Sequence, residues 1–130
     1  MKKITIEWDL LSEVAWNCRE NASIFGNTKV GAAVLSKSGN IYAGCNIEQT
    51  FRSHDIHAET NAISNMVASG DYNLIAIIIT AERIRFTPCG SCMDWIFQFG
   101  KQECLVGFQS SRQGKIKIYK AKELMPFYPR

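Results

Sequence analysis

Two short stretches carry side chains that suit a metal ion and an acid–base reaction. His57-Ala58-Glu59 sets an imidazole two residues from a carboxylate, and Pro88-Cys89-Gly90-Ser91-Cys92 sets two thiols three residues apart. A catalytic zinc takes imidazole and thiolate ligands in a tetrahedron and keeps one position for water. His57, Cys89 and Cys92 offer three such ligands, with no obvious fourth. Zinc lowers the pKa of its water towards about 7, so attack on a ring carbon bearing an amine becomes feasible at neutral pH. Glu59, near the metal without binding it, is placed to take the water proton, pass it to the ring nitrogen and protonate the departing ammonia.

The two stretches gain meaning together. A lone Cys-x-x-Cys reads equally as a redox pair. A redox pair, however, has no use for His57 or Glu59, and a structural zinc usually has a fourth protein ligand. His-x-Glu followed by Pro-Cys-x-x-Cys is the signature of zinc deaminases.

These residues need elements to position them. The spacing of Leu10, Leu11, Val14, Ala15 and Cys18 predicts a helix from Asp9 to about Ile24, with Asp9 or Ser12 as cap. Val30–Ser36 and Ile41–Cys45 read as strands joined by a turn at Ser38-Gly39-Asn40. A polar loop over Phe51–Ile56 leads to a helix from His57 to about Ser69, ended by Gly70-Asp71. Leu74–Thr80 is a continuous apolar run that suits a central strand buried on both faces. Pro88 opens a helix from Cys89 to about Phe99. Glu103–Phe108 and Lys115–Tyr119 are further strands, and Ala121–Leu124 a last helical turn. This order predicts a single α/β domain over residues 1–130, a three-layer α/β/α sandwich around a mixed sheet of about five strands. Helix starts at both motifs favour thiolate at the cysteines, because helix N-termini are partly positive.

The bulk numbers agree with that class. The chain has 130 residues, 46% hydrophobic and 21% charged, with a formal charge of +3. That charge neither demands nor excludes a polyanion, and the cluster from Arg112 to Lys122 reads first as a solvated basic face. The apolar run Leu74–Ile79 is too short to span a bilayer. Acidic residues interrupt the N-terminal stretch before a signal-peptide core forms, so a cytoplasmic location is expected. Five cysteines without a secretion signal argue against a disulfide framework, and Cys18, Cys45 and Cys104 read as small core residues. Trp95 and Phe99, four apart, read as packing rather than base-stacking residues.

From about Phe25 to Phe127 the sequence resembles the cytidine deaminase family. Val30-Gly31-Ala32-Ala33, Gly44-Cys45-Asn46-Ile47-Glu48, the two metal motifs and Leu124-Met125-Pro126-Phe127 carry the resemblance. The resemblance implies zinc-dependent deamination of cytidine, deoxycytidine or a close relative to the uracil form. It implies that Asn46 and Glu48 bond the ribose hydroxyls and that the Ala58 N–H meets the pyrimidine carbonyl. It also implies a homo-oligomer, a tetramer as in small members or a dimer as in larger ones, with Phe127 reaching a neighbouring site. The pattern departs in places. Small members often use Cys at position 57 and follow the three-residue motif with Arg; here His57 would make a neutral Cys2His cluster with zinc, and Thr60 stands where that Arg would be. Thr28 stands where a stacking Phe is usual, which leaves Phe51 in the nearby loop as stacking candidate. Arg52, His54 and Asp55 add polarity at the pocket mouth, which opens the alternative of a modified nucleoside or a blasticidin-type antibiotic. His54 is not expected to bind the metal. Deamination of single-stranded nucleic acid needs a basic groove that the modest charge does not suggest, and a pure binder would have no use for Glu59. The expected partner is therefore a small nucleoside, without membrane or nucleic acid.

Overall fold

The computed structural model describes residues 4–129. The elements run α1 (Trp8–Arg19), β1 (Gly31–Ser36), β2 (Ile41–Cys45), α2 (Ala58–Ala68), β3 (Leu74–Thr80), α3 (Gly90–Gly100), β4 (Leu105–Gln109), β5 (Lys117–Lys120) and α4 (Ala121–Leu124). A 3-10 turn, Arg52–His54, precedes α2. The strands form one mixed sheet in the order β2-β1-β3-β4-β5. Among the strands of the described residues only β3 and β4 pair in parallel, and α3 is the helix between them. The expected α/β sandwich is therefore present.

Strands β1 and β3 lie inside the sheet and are buried almost throughout, which is why β3 reads as an unbroken apolar run. On one face, Leu11 and Ala15 of α1 pack on Ala33, Leu35, Ala76 and Ile78. On the other, Ala58, Ala62, Ile63 and Met66 of α2 and Met93, Ile96 and Phe97 of α3 pack on Ala32, Val34, Ile77, Ile79 and Val106. Alternate residues of one strand thus serve opposite layers.

Register decides where the loops emerge. Gly31, the first residue of β1, pairs with both Cys45, the last of β2, and Thr80, the last of β3. The loops after β2 and β3 therefore leave the same end of the sheet, and they lead into α2 and α3. A Cβ at Gly44 would lie 2.3 Å from the Ala62 nitrogen and 2.6 Å from the Ala58 oxygen. The first turn of α2 rests directly on β2 there, and only a glycine permits that approach.

The element boundaries differ from the sequence reading at informative places. Helix α1 stops at Arg19 rather than Ile24, because the Ser23 N–H bonds the Asn46 carbonyl and draws the chain into a bridge with Ile47. Neither Asp9 nor Ser12 caps α1: the cap is Glu7, and the Ser12 hydroxyl donates to Gln109 Oε1 instead. The same Gln109 oxygen accepts from Trp16 Nε1 at 2.7 Å, while its Nε2 donates to the Gly114 carbonyl at 2.7 Å. This buried amide joins α1 to the β4–β5 turn. The Ser38-Gly39-Asn40 turn and the Gly70 stop are as read, both glycines having positive φ.

Asp71, just past α2, holds the β1–β2 hairpin. Its carboxylate accepts from Ser38 Oγ at 3.3 Å, Asn40 Nδ2 at 3.4 Å and Tyr42 OH at 3.1 Å. Hydrogen bonding, first from Ser36, holds its pKa below the ordinary 3.8 despite an opposing effect of burial. The unfolded chain therefore takes up this proton first as pH falls, and the stabilisation is complete above the ordinary pKa. Asp71→Asn should lower stability by about 1 kcal/mol at pH 7. In thermal unfolding, its gap to wild type should narrow below pH 3.8 and close as Asp71 protonates in the fold; a gap independent of pH would refute the charged latch. Gly44→Ala should cost about 1–3 kcal/mol through displacement of α2, and an unchanged Tm would show that the contact yields freely.

Candidate active site

Helices α2 and α3 begin with residues whose side chains do not cap them. His57 is the N-cap of α2 and Cys89 the N-cap of α3, both with extended backbone and neither with a side-chain cap bond. An N-cap residue normally turns its side chain back onto the first helical N–H groups. Here both side chains point instead at each other. His57 Nδ1 lies 3.4 Å from Cys89 Sγ and 3.4 Å from Cys92 Sγ. The ligand atoms of His57, Cys89 and Cys92 all fall within 4.8 Å of one another. Among the described residues this is the one group of its kind, and His54 is not part of it.

The donor set fits zinc. Imidazole and thiolate are its usual protein ligands, and three of them leave one position for water or substrate. Burial pushes the Cys92 thiol pKa up, with the nearby Glu59 and Cys89 adding to the effect. Such a thiol ionises readily only beside a cation, so the environment disfavours a reactive redox cysteine and suits a metal ligand.

Glu59, the second residue of α2, is buried at 3% exposure yet lines the cavity. Burial raises its carboxyl pKa from the ordinary value, partly offset by its own backbone N–H and then by His57 and Cys92. A carboxyl whose charged form is disfavoured by burial holds a proton more readily, which suits a group that must both accept and return one.

The cavity is about 440 Å³ and sits at the sheet end where the loops converge. That volume is within the usual range for a small-molecule site. Asn46, Glu48, His57, Ala58, Glu59 and Cys89 all line it. Asn46 also fastens the strand entry: its Oδ1 accepts from the Val30 N–H at 2.9 Å, and its Nδ2 donates to the Thr28 carbonyl at 3.0 Å. Glu48 Oε1 accepts from the N–H groups of Phe25 at 2.7 Å and Gly26 at 2.9 Å. Those two bonds, Gly26 first, hold its carboxyl below the ordinary range. Its other oxygen lies 3.4 Å from the Arg52 guanidinium.

The structure does not bring Phe51 or Phe127 into this chain's own cavity. Phe51 is 69% exposed, edge-on to His54, because the 3-10 turn that follows aims it outward. Phe127 is 95% exposed. The tail folds back so that Tyr128 stacks on Phe97 and bonds Asp94, leaving its neighbour outside. Arg52 and Asp55 do reach the mouth, but they pair at 2.9 Å, and His54 does not line the cavity. Trp95 and Phe99 stack on each other, as their spacing suggests. Cys45 and Cys104 are buried and Cys18 half-buried. Burial pushes Cys104 up to about 12 and, with neighbouring Cys45, Cys18 up to about 11.

Sequence reasoning missed part of the wall. Arg83, Phe86 and Thr87 line the cavity from the loop between β3 and α3, and Arg83 also donates to the Thr28 hydroxyl. The adjacency of Phe86-Thr87 to Pro88-Cys89 was an available signal for those two; Arg83 had none.

Comparisons place this geometry among known proteins. Residues 7–108 match the family described as the cytidine and deoxycytidylate deaminase zinc-binding region. The chain is 32% identical over 110 residues to the cytidine deaminase of Sporosarcina psychrophila, covering 83% of this chain and 80% of that protein. It is 36% identical over 69 residues to the cytidine deaminase of Shewanella woodyi, a match that covers 52% of this chain but 22% of that protein. The crystal structure of cytidine deaminase from Burkholderia pseudomallei superimposes with a TM-score of 0.84 at 29% identity, covering 95% of this chain and 98% of that one. The chain belongs to the cytidine and deoxycytidylate deaminase family.

Proposed function

We propose that the protein hydrolyses the exocyclic amine of cytidine or deoxycytidine, giving the uracil nucleoside and ammonia. The observation that carries this is the placement of Glu59: a desolvated carboxyl on the wall of the same cavity that His57 and Cys89 line. His57, Cys89 and Cys92 would hold zinc, whose Lewis acidity makes water nucleophilic at neutral pH.

Glu59 takes a proton from the attacking water and delivers it to the neighbouring ring nitrogen. A carbon–oxygen bond forms at the amine-bearing carbon. Glu59 then takes the proton of the newly added hydroxyl and passes it to the amine, so that the carbon–nitrogen bond breaks, the product carbonyl forms and nitrogen leaves as ammonia. The Ala58 N–H, in the positive first turn of α2, receives the pyrimidine carbonyl. Asn46 and Glu48 orient the ribose through the second Nδ2 hydrogen of Asn46 and through the Glu48 oxygen that the Arg52 guanidinium approaches at 3.4 Å. Phe127, exposed on the tail, is free to close the site of a neighbouring subunit in a homo-oligomer, for which a tetramer is the reading we favour.

The alternative of a larger modified substrate loses its motive, since Arg52 is occupied by Glu48 and Asp55. No helix among the described residues is long and apolar enough to cross a membrane, which is compatible with work on free nucleosides in the cytoplasm. Glu59→Gln should retain zinc, measured by elemental analysis, and lose cytidine turnover by at least about a hundredfold. Turnover within a few-fold of wild type would remove Glu59 from the chemistry. No ammonia release by wild type from cytidine, deoxycytidine or their analogues would remove the proposed activity.

A further inference from the structure

We propose that the Thr60 hydroxyl donates a hydrogen bond to the Cys92 sulfur and so withdraws charge from that ligand, making Thr60 a positioning residue of the metal centre. The inference rests on the zinc reading above. Thr60 is the third residue of α2 and Cys92 the third of α3, so each lies in the first turn of its helix. Thr60 Oγ1 lies 3.8 Å from Cys92 Sγ, within reach for sulfur.

Chemistry fixes the direction of the bond. A cysteine that ligates zinc is a thiolate with no proton to give, so the hydroxyl must be the donor. Helical threonines commonly turn the hydroxyl to the carbonyl four residues back. Here that carbonyl, Ile56, accepts the Ile47 N–H at 2.8 Å, and the Thr60 hydroxyl faces the sulfur. The β-branch restricts χ1, so little side-chain freedom is lost in holding this aim.

The two sulfurs also differ in need. Cys89 is exposed on the cavity wall, where water can solvate its charge. Cys92 is fully buried, and a buried charge without a hydrogen-bond donor is costly. Thr60 supplies inside the protein what water supplies to Cys89. A donor on a ligand sulfur also reduces the electron density passed to the metal, leaving it the stronger electrophile.

Cobalt(II) in place of zinc reports on the sulfur directly through its sulfur-to-metal charge-transfer band. Thr60→Val keeps the shape and removes the hydroxyl; Thr60→Ser keeps the hydroxyl. The band of the cobalt form should move to lower energy in Thr60→Val and stay at the wild-type position in Thr60→Ser. Zinc loss from Thr60→Val to a chelator should be faster by roughly ten- to a hundredfold, the usual scale for losing an outer-shell partner. A band unmoved in Thr60→Val, or moved equally in Thr60→Ser, would overturn the role of Thr60. Wild type that takes up no cobalt would overturn the metal centre itself, a separate failure.

Discussion

The candidate site depends on the convergence of one imidazole and two sulfurs from the starts of two helices. His57, Cys89 and Cys92 bring their donor atoms within 4.8 Å of one another. Without a cation, burial resists ionisation of Cys92, with Glu59 and Cys89 adding to that resistance. With one, the same crowding becomes a coordination sphere, and the positive helix N-termini reinforce the thiolates. Glu59 and Ala58 follow His57 directly, so whatever places the histidine also places the carboxyl and the N–H.

That placement is inherited from the sheet. Gly31 sits between the ends of β2 and β3, so the segments leading into α2 and α3 cannot diverge. The close seat of α2 on Gly44 fixes its height on the sheet. The pocket wall is fastened by polar side chains that also face the cavity. Asn46 ties the entry of β1, and Glu48 ties the Phe25–Gly26 turn. Cavity-facing groups are thereby preorganised, which is what lets a small domain hold a site in one geometry.

Much of this was legible in the residues, and what was not has specific causes. Strand β3 was read to the residue because both its faces are apolar. The metal ligands and Glu59 were legible because spacing and helix starts imply them. The end of α1 was misread because a backbone bond from Ser23 to Asn46, distant in sequence, overrides local helical pattern. Asn46 and Glu48 were marked out only by the family resemblance, and their bonds to Val30, Phe25 and Gly26 depend on loop packing that no periodicity records. The outward aim of Phe51 follows from a three-residue 3-10 turn, too short to have a pattern. Thr60 was visible only as a departure in the residue after the motif; its contact with Cys92 exists because two helix starts meet.

The coordination sphere itself is the most direct test. X-ray absorption at the zinc edge of the purified, metal-loaded protein should show two sulfur scatterers at about 2.3 Å and two nitrogen or oxygen scatterers at about 2.0–2.1 Å. One of the light scatterers would be the His57 imidazole and the other an exchangeable water. Four sulfurs, or a zinc without sulfur, would contradict the account.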